Sequence, residues 1–303
     1  MTNIFVTLSK MRLASQSQYF AKLFEQENAQ GGSSSQGSEE VFTREIVDGC
    51  PVYEVLNLSV LDMERLLGAL DDGLALSVVP PSFEVIVSIL RAASTLSISS
   101  ATAYAKHQLR KAWPSDLDKL NCGETDPKRV TELITIAKHY NVPEVLKRAF
   151  YELLRSKQFW LHMKNDRNDV HPGDKDFIRL LVARDEMQSA WIRTMKSPPF
   201  SHNLQLQHSD DADIVKRCQT AWENNQQQWI EVVVQSDIFE EGRFDPFTGL
   251  DAIVDVDWAA IGYCSRCVGA RKKTLTGLKA TWWKNLDPWL KLEGRRLVWT
   301  LEV

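Results

Sequence analysis

RLASQSQYFAKLFEQ, residues 12–26, sets a polar Ser-Gln-Ser-Gln run directly against Tyr19-Phe20, with Leu23-Phe24 one helical turn further on. The spacing predicts a helix over 12–26, with Phe20, Leu23 and Phe24 on one face and Ser17 as a capping hydroxyl. Ahead of it, NIFVTL (residues 3–8) carries β-formers in loose alternation and predicts a short strand. Behind it, residues 27–40 (ENAQGGSSSQGSEE) offer a single apolar side chain, Ala29, too little burial to offset the entropy of ordering. They are read as a flexible loop.

Outward from there, residues 41–59 (VFTREIVDGCPVYEVLNLS) read as two strands around the turn Asp48-Gly49-Cys50-Pro51. Val52, Val55, Leu56 and Leu58 give the second strand its β character. Ser59 and Asp62 have the form of a capping box ahead of Met63, Leu66, Leu67 and Leu70, and Gly73 is the expected stop. Ser82, after Pro80-Pro81, is the expected cap of a helix lined by Ile86, Ile89, Leu90, Ala93 and Leu96. A further helix is expected from Ser99 to Trp113, stopped by Pro114.

Helices alone are expected beyond that point. Asp126-Pro127 is an N-cap with Pro at the first helical position, and Val130, Leu133, Ile134, Ala137 and Tyr140 form the apolar face. Pro143 opens the next helix. The charged segment 164–176, with its Pro-Gly pair, is read as a loop. Helices are expected over 177–195, 210–235 and 265–286, with DPFTG (245–249) as a turn and Asp287-Pro288 as the last stop.

The order strand, helix, loop, hairpin, helices makes LASQSQYFAKLFE resemble the signature of the BTB/POZ domain. In that family a Leu, a Ser and an aromatic pair close the first helix. Here they are Leu13, Ser17, Tyr19 and Phe20, with Leu23 and Phe24 completing it. VYEVLNLSVLDMERLLGAL is similar to the family's strand and following helix, with Met63 where Phe is usual. VIVSILRAASTLSI resembles its L-x-x-A-x-x-L helix through Leu90, Ala93 and Leu96. The whole chain is most similar to BTB proteins of mushroom-forming fungi.

The resemblance implies an α+β BTB/POZ-like domain of short strands with packed helices over residues 1–115. The family's first strand is missing, and Ser9-Lys10 stand where it has His-Lys. A helical extension (116–163) follows, in which residues 126–155 look like the helical pair that often succeeds this fold, and then a mostly helical C-terminal domain (164–303). Leu13, Ser17, Tyr19, Phe20, Phe24 and Met63 are the anchors, as core or as subunit interface. The partner face is expected around Met63 and the helix from Ser99. Such domains dimerise, recruit cullin-type ubiquitin-ligase scaffolds or recruit transcriptional partners.

Composition fits a protein of this kind. Hydrophobic residues make up 44% of the 303 positions and charged residues 25%, and the net charge of −4 argues against wholesale nucleic-acid binding. No apolar run is long enough to span a bilayer, and no signal-peptide core follows Lys10 and Arg12. Five widely spaced cysteines do not form a disulfide framework, so reduced thiols in the cytoplasm or nucleus are expected. Nine of the ten tryptophans follow residue 150, which predicts a folded C-terminal half.

Motifs for catalysis do not appear: no G-x-S-x-G, P-loop, G-x-G-x-x-G or H-E-x-x-H occurs. The reading is therefore a binding protein or adaptor, not an enzyme, with no required cofactor. One alternative stands beside it. Cys264-x-x-Cys267 is half of a zinc site, Cys218 is a candidate third ligand, and His202 or His208 a candidate fourth. The simpler reading is two reduced thiols at a helix start.

Charge is also uneven. Residues 237–257 carry seven acids and one Arg, whereas residues 266–296 carry nine bases, Arg271 among them, and two acids. A zinc-supported nucleic-acid-binding regulator acting through residues 218–296 would use that basic run with Trp282 and Trp283 for stacking. The competing reading is an amphipathic helix with a solvated basic face, core tryptophans and the preceding acidic segment as its partner.

Overall fold

A computed structural model describes residues 9–30, 46–47, 50–53, 55, 57–71, 79–120, 125–165, 170–200 and 211–292. The chain divides into two compact units, Met1–Trp113 and Pro114–Val303.

The N-terminal unit corrects the α+β expectation. Its only β structure among the described residues is β1 (Ile46–Val47) paired antiparallel with β2 (Cys50–Pro51). Pro51 has no N–H to extend the ladder, and two residues a side do not make a sheet. The β-formers that follow do something else. Val52, Tyr53, Val55 and Leu58 are half-buried, and Tyr53 packs edge-on to Phe24 at 5.5 Å. At Tyr53 the apolar character reports packing on the α2 residue Phe24, not strand pairing. No BTB-type sheet is therefore formed among the described residues. The strand expected at 3–8 and the stop at Gly73 lie outside the described residues.

The unit is built instead from α1 (Lys10–Gln16), α2 (Gln18–Gln30), α3 (Val60–Asp71), α4 (Phe83–Thr95) and α5 (Ser99–Ala112). The single helix expected over 12–26 is two, broken at Ser17, which has extended backbone (φ −123°, ψ 119°). Glu27–Gln30, expected to be loop, continue α2; the rest of that loop lies outside the described residues. Ser17 Oγ accepts from Phe20 N at 3.2 Å and donates to Leu96 O at 2.5 Å. One hydroxyl thus caps α2 and ties its start to the end of α4. Ser59 and Ser82 cap α3 and α4 through Asp62 N and Val85 N. α3 packs on α4, and α4 on α5. The core is almost wholly aliphatic: Leu66, Ile89, Leu90, Leu96 and Leu109 are at most 1% exposed.

The C-terminal unit is helical throughout its described residues. It runs through α6 (Pro127–His139), α7 (Leu146–Arg155), α8 (Lys157–Asn165), α9 (Asp174–Lys196), α10 (Ala212–Glu223), α11 (Asn225–Trp229), a π-turn (Ile230–Val234), α12 (Asp237–Phe244), α13 (Pro246–Asp255), α14 (Trp258–Ile261) and α15 (Ser265–Trp289). Several boundaries differ from the sequence reading. The helix expected over 210–235 is divided into α10, α11 and the π-turn, with Asn224 between α10 and α11. Asp174–Asp176 are the first turn of α9, not loop. The DPFTG turn is a helix start, with Asp245 accepting from Phe247 N and Thr248 N and Pro246 in the first turn. α15 continues past Asp287 and carries Pro288 within it.

Tryptophan fills this core. Trp191, Trp229 and Trp258 are at most 1% exposed, and Trp191 lies against Gly242 and Gly249, where any Cβ would overlap its indole. Buried charges are threaded through it. Glu152, 2% exposed, pairs with Arg148 (2.5 Å) and Arg155 (2.7 Å), and Tyr151 Oη donates to Asp245 at 2.8 Å.

Candidate metal centre

The C-terminal unit brings together thiols from two segments. Asp211 caps α10 through Asp213 N and Ile214 N, and Cys218 sits in the middle of that helix, fully buried. α14 ends at Gly262, whose φ of +121° suits glycine, and the chain turns at once into Cys264 at the cap of α15. A Cβ on Gly262 would also touch Ala221 at 3.4 Å, so the turn runs close against α10. Cys267 follows three residues later, on the same side of the first turn of α15.

Cys218 Sγ and Cys267 Sγ are 3.5 Å apart, and Cys264 N donates to Cys218 Sγ at 3.5 Å. The ligand atoms of Cys218, Cys264 and Cys267 all lie within 4.8 Å of one another, and all three residues are buried. Tetrahedral zinc with Zn–S bonds of about 2.3 Å needs sulfurs roughly 3.8 Å apart, so the cluster fits three corners of such a site. None of the three cysteines is in a disulfide. Burial pushes the Cys267 thiol up to about 12; hydrogen bonding from Trp222 opposes that shift, and the neighbouring cysteines add to it. A divalent ion binding here would displace the thiol protons.

The surroundings are polar and aromatic together. Tyr263 Oη lies 2.9–3.0 Å from Ala221 O, Asn225 Oδ1 and Gln228 Oε1, and burial raises its hydroxyl to about 12. Arg271, counted from sequence among the solvated bases, is 1% exposed and stands over the ring of Tyr263 at 3.8 Å. Its position four residues after Cys267 was a legible sign, because such pairs share a helix face.

The other sequence candidates fall elsewhere. His202 and His208 lie outside the described residues, as does Cys122, and no Asp, Glu or His joins the three thiols among the described residues. His107, His139 and His162 are exposed. Ser17, Phe20 and Phe24 are buried within the N-terminal unit, while Leu13, Tyr19 and Met63 are half-buried. Phe20 stacks on Phe24 at 5.8 Å and meets Tyr19 edge-on at 5.3 Å, so the hook fills the interior of its own unit.

The basic run of α15 follows the amphipathic reading. Trp282 and Trp283 are 4% and 8% exposed, and Lys279 pairs with Asp251 of the acidic segment at 2.6 Å. The two tryptophans are core, so they offer no stacking platform to a nucleic acid.

Comparison of the chain with protein-family models, with curated proteins and with solved structures finds no match. No helix among the described residues is long and apolar enough to cross a membrane.

Proposed function

We propose that the chain is a binding protein whose C-terminal unit is held together by one zinc ion on Cys218, Cys264 and Cys267. The observation that carries this reading is the sulfur geometry: three buried thiols within 4.8 Å, drawn from segments 46 residues apart. The ion acts structurally, fastening α10 to the start of α15, and the work of the protein is association. A row on α9 supports a protein partner: Ile178, Leu181, Val182 and Ile192 are 59%, 44%, 40% and 44% exposed at helical spacing. Apolar side chains grouped this way on a surface mark contact sites. Cullin-type scaffolds and transcriptional partners were implied by the BTB/POZ fold, whose sheet is not formed among the described residues.

Metal analysis of the purified full chain tests the zinc reading. One equivalent of zinc is expected, with Cys267→Ser lowering it well below stoichiometric. A metal-free chain whose folding is indifferent to chelators, or a Cys218–Cys267 disulfide found by mass spectrometry of a freshly purified sample, overturns it.

A further inference from the structure

Arg271 raises a question the metal reading alone does not answer. It is the most deeply buried charged side chain among the described residues. The rings of Tyr263, Phe200, Trp258 and Trp222 surround its Cζ at 3.8, 4.3, 4.5 and 5.0 Å. Nη2 donates to Asn225 Oδ1 at 2.5 Å, and neither Nε nor Nη1 has an acceptor. Among the described residues no carboxylate pairs with it. The aromatic faces attract the cation, but they do not neutralise it or accept two further N–H groups with good geometry. A buried charge without a counter-charge is strongly disfavoured.

The thiols are the nearest source of that charge along the chain: Cys267 is one helical turn before Arg271, on the same face of α15. Three protonated thiols supply no charge. Three thiolates on a divalent ion with a neutral fourth ligand carry a net charge of minus one, which a single guanidinium cancels. We propose that Arg271 is the counter-ion of the metal–thiolate centre, its Nε–H and Nη1–H turned to the cysteine sulfurs when these are ionised. The inference rests on the zinc reading and sharpens it: the site is matched in charge to a divalent ion, whereas a monovalent ion would leave a second negative charge buried. Arg271 would act on the ligands and not on the metal, so its role is positioning and charge balance.

The test uses the full chain, cobalt(II) as a spectroscopic probe and zinc as competitor, in wild type, R271M and R271K. R271M is expected to bind both ions about 10–100-fold more weakly, the usual loss when a ligand's supporting partner is removed, and R271K to recover part of that. Thermal midpoints separate this role from a merely structural one. With zinc bound, R271M should melt below wild type; with chelator it should melt at or above wild type, because the unbalanced charge is gone. R271M binding as tightly as wild type, or melting lower by the same amount in both states, overturns the inference and leaves the zinc reading standing. A wild-type chain that takes up neither cobalt nor zinc overturns both. Should R271M not fold, the wild-type Arg271 Nε–H resonance, assigned by its loss in R271K, decides: a shift on zinc loading supports the inference and an unmoved resonance sinks it.

Discussion

The two units are stabilised by different means. The N-terminal unit buries Leu66, Ile86, Ile89, Leu90, Leu96 and Leu109, with Ser17 and Ser88 its only buried polar side chains among the described residues. The C-terminal unit buries Trp191, Trp229, Trp258 and Trp282 together with Arg148, Glu152, Asp176, Arg271 and three thiols. An aliphatic core gains stability from area and volume and tolerates changes that keep both. A core with embedded charges is stable only while each one has its partner, because an orphaned charge in low dielectric costs far more than a lost contact. The comparison teaches that dependence on metal and on charge should be confined to residues 114–303.

The sharpest way to break the contrast is to withdraw the metal. Hydrogen exchange of the full chain with and without chelator should show protection lost around α10, α14 and α15 and unchanged in α3–α5. Equal loss in both units would mean that the cluster is not a local fastener. Mild acid should act in the same direction, since the thiols reprotonate as pH falls and release the ion. Next in size is Glu152→Ala. It removes the carboxylate that pairs with Arg148 and leaves Arg155 only Asp245 at 3.7 Å, and should cost about 3–5 kcal/mol by denaturant unfolding, the usual penalty for breaking a buried pair. A loss near zero would show that water reaches this network and that the contrast is overstated. Smallest is Ser17→Ala in the N-terminal unit. It removes a cap and a tie to Leu96 O and should cost about 1–2 kcal/mol, with no effect on zinc content.

Local chemistry was legible where a single side chain settles it. Ser59, Ser82 and Asp126-Pro127 all cap the helices their spacing announces. Asp245-Pro246 is the same device as Asp126-Pro127, yet reads as a turn, because Gly249, three residues on, is there to admit the Trp191 indole and not to bend the chain. The apolar run Val52–Leu58 cannot show from sequence whether a strand or a helix covers it, and that ambiguity produced the α+β expectation. The site divides in the same way. C-x-x-C is a local pattern and Cys218 a distant one, and only the packing of α10 against the Gly262 turn joins them. Arg271 was lost among its basic neighbours, because the bases were counted along the helix and not set against their i,i+4 spacing from Cys267.

X-ray absorption at the zinc edge of the purified, fully reduced chain tests the central claim most directly. The account predicts a first shell containing three sulfurs at about 2.3 Å with one lighter ligand. A shell of nitrogen and oxygen alone, or no bound zinc at all, would contradict it.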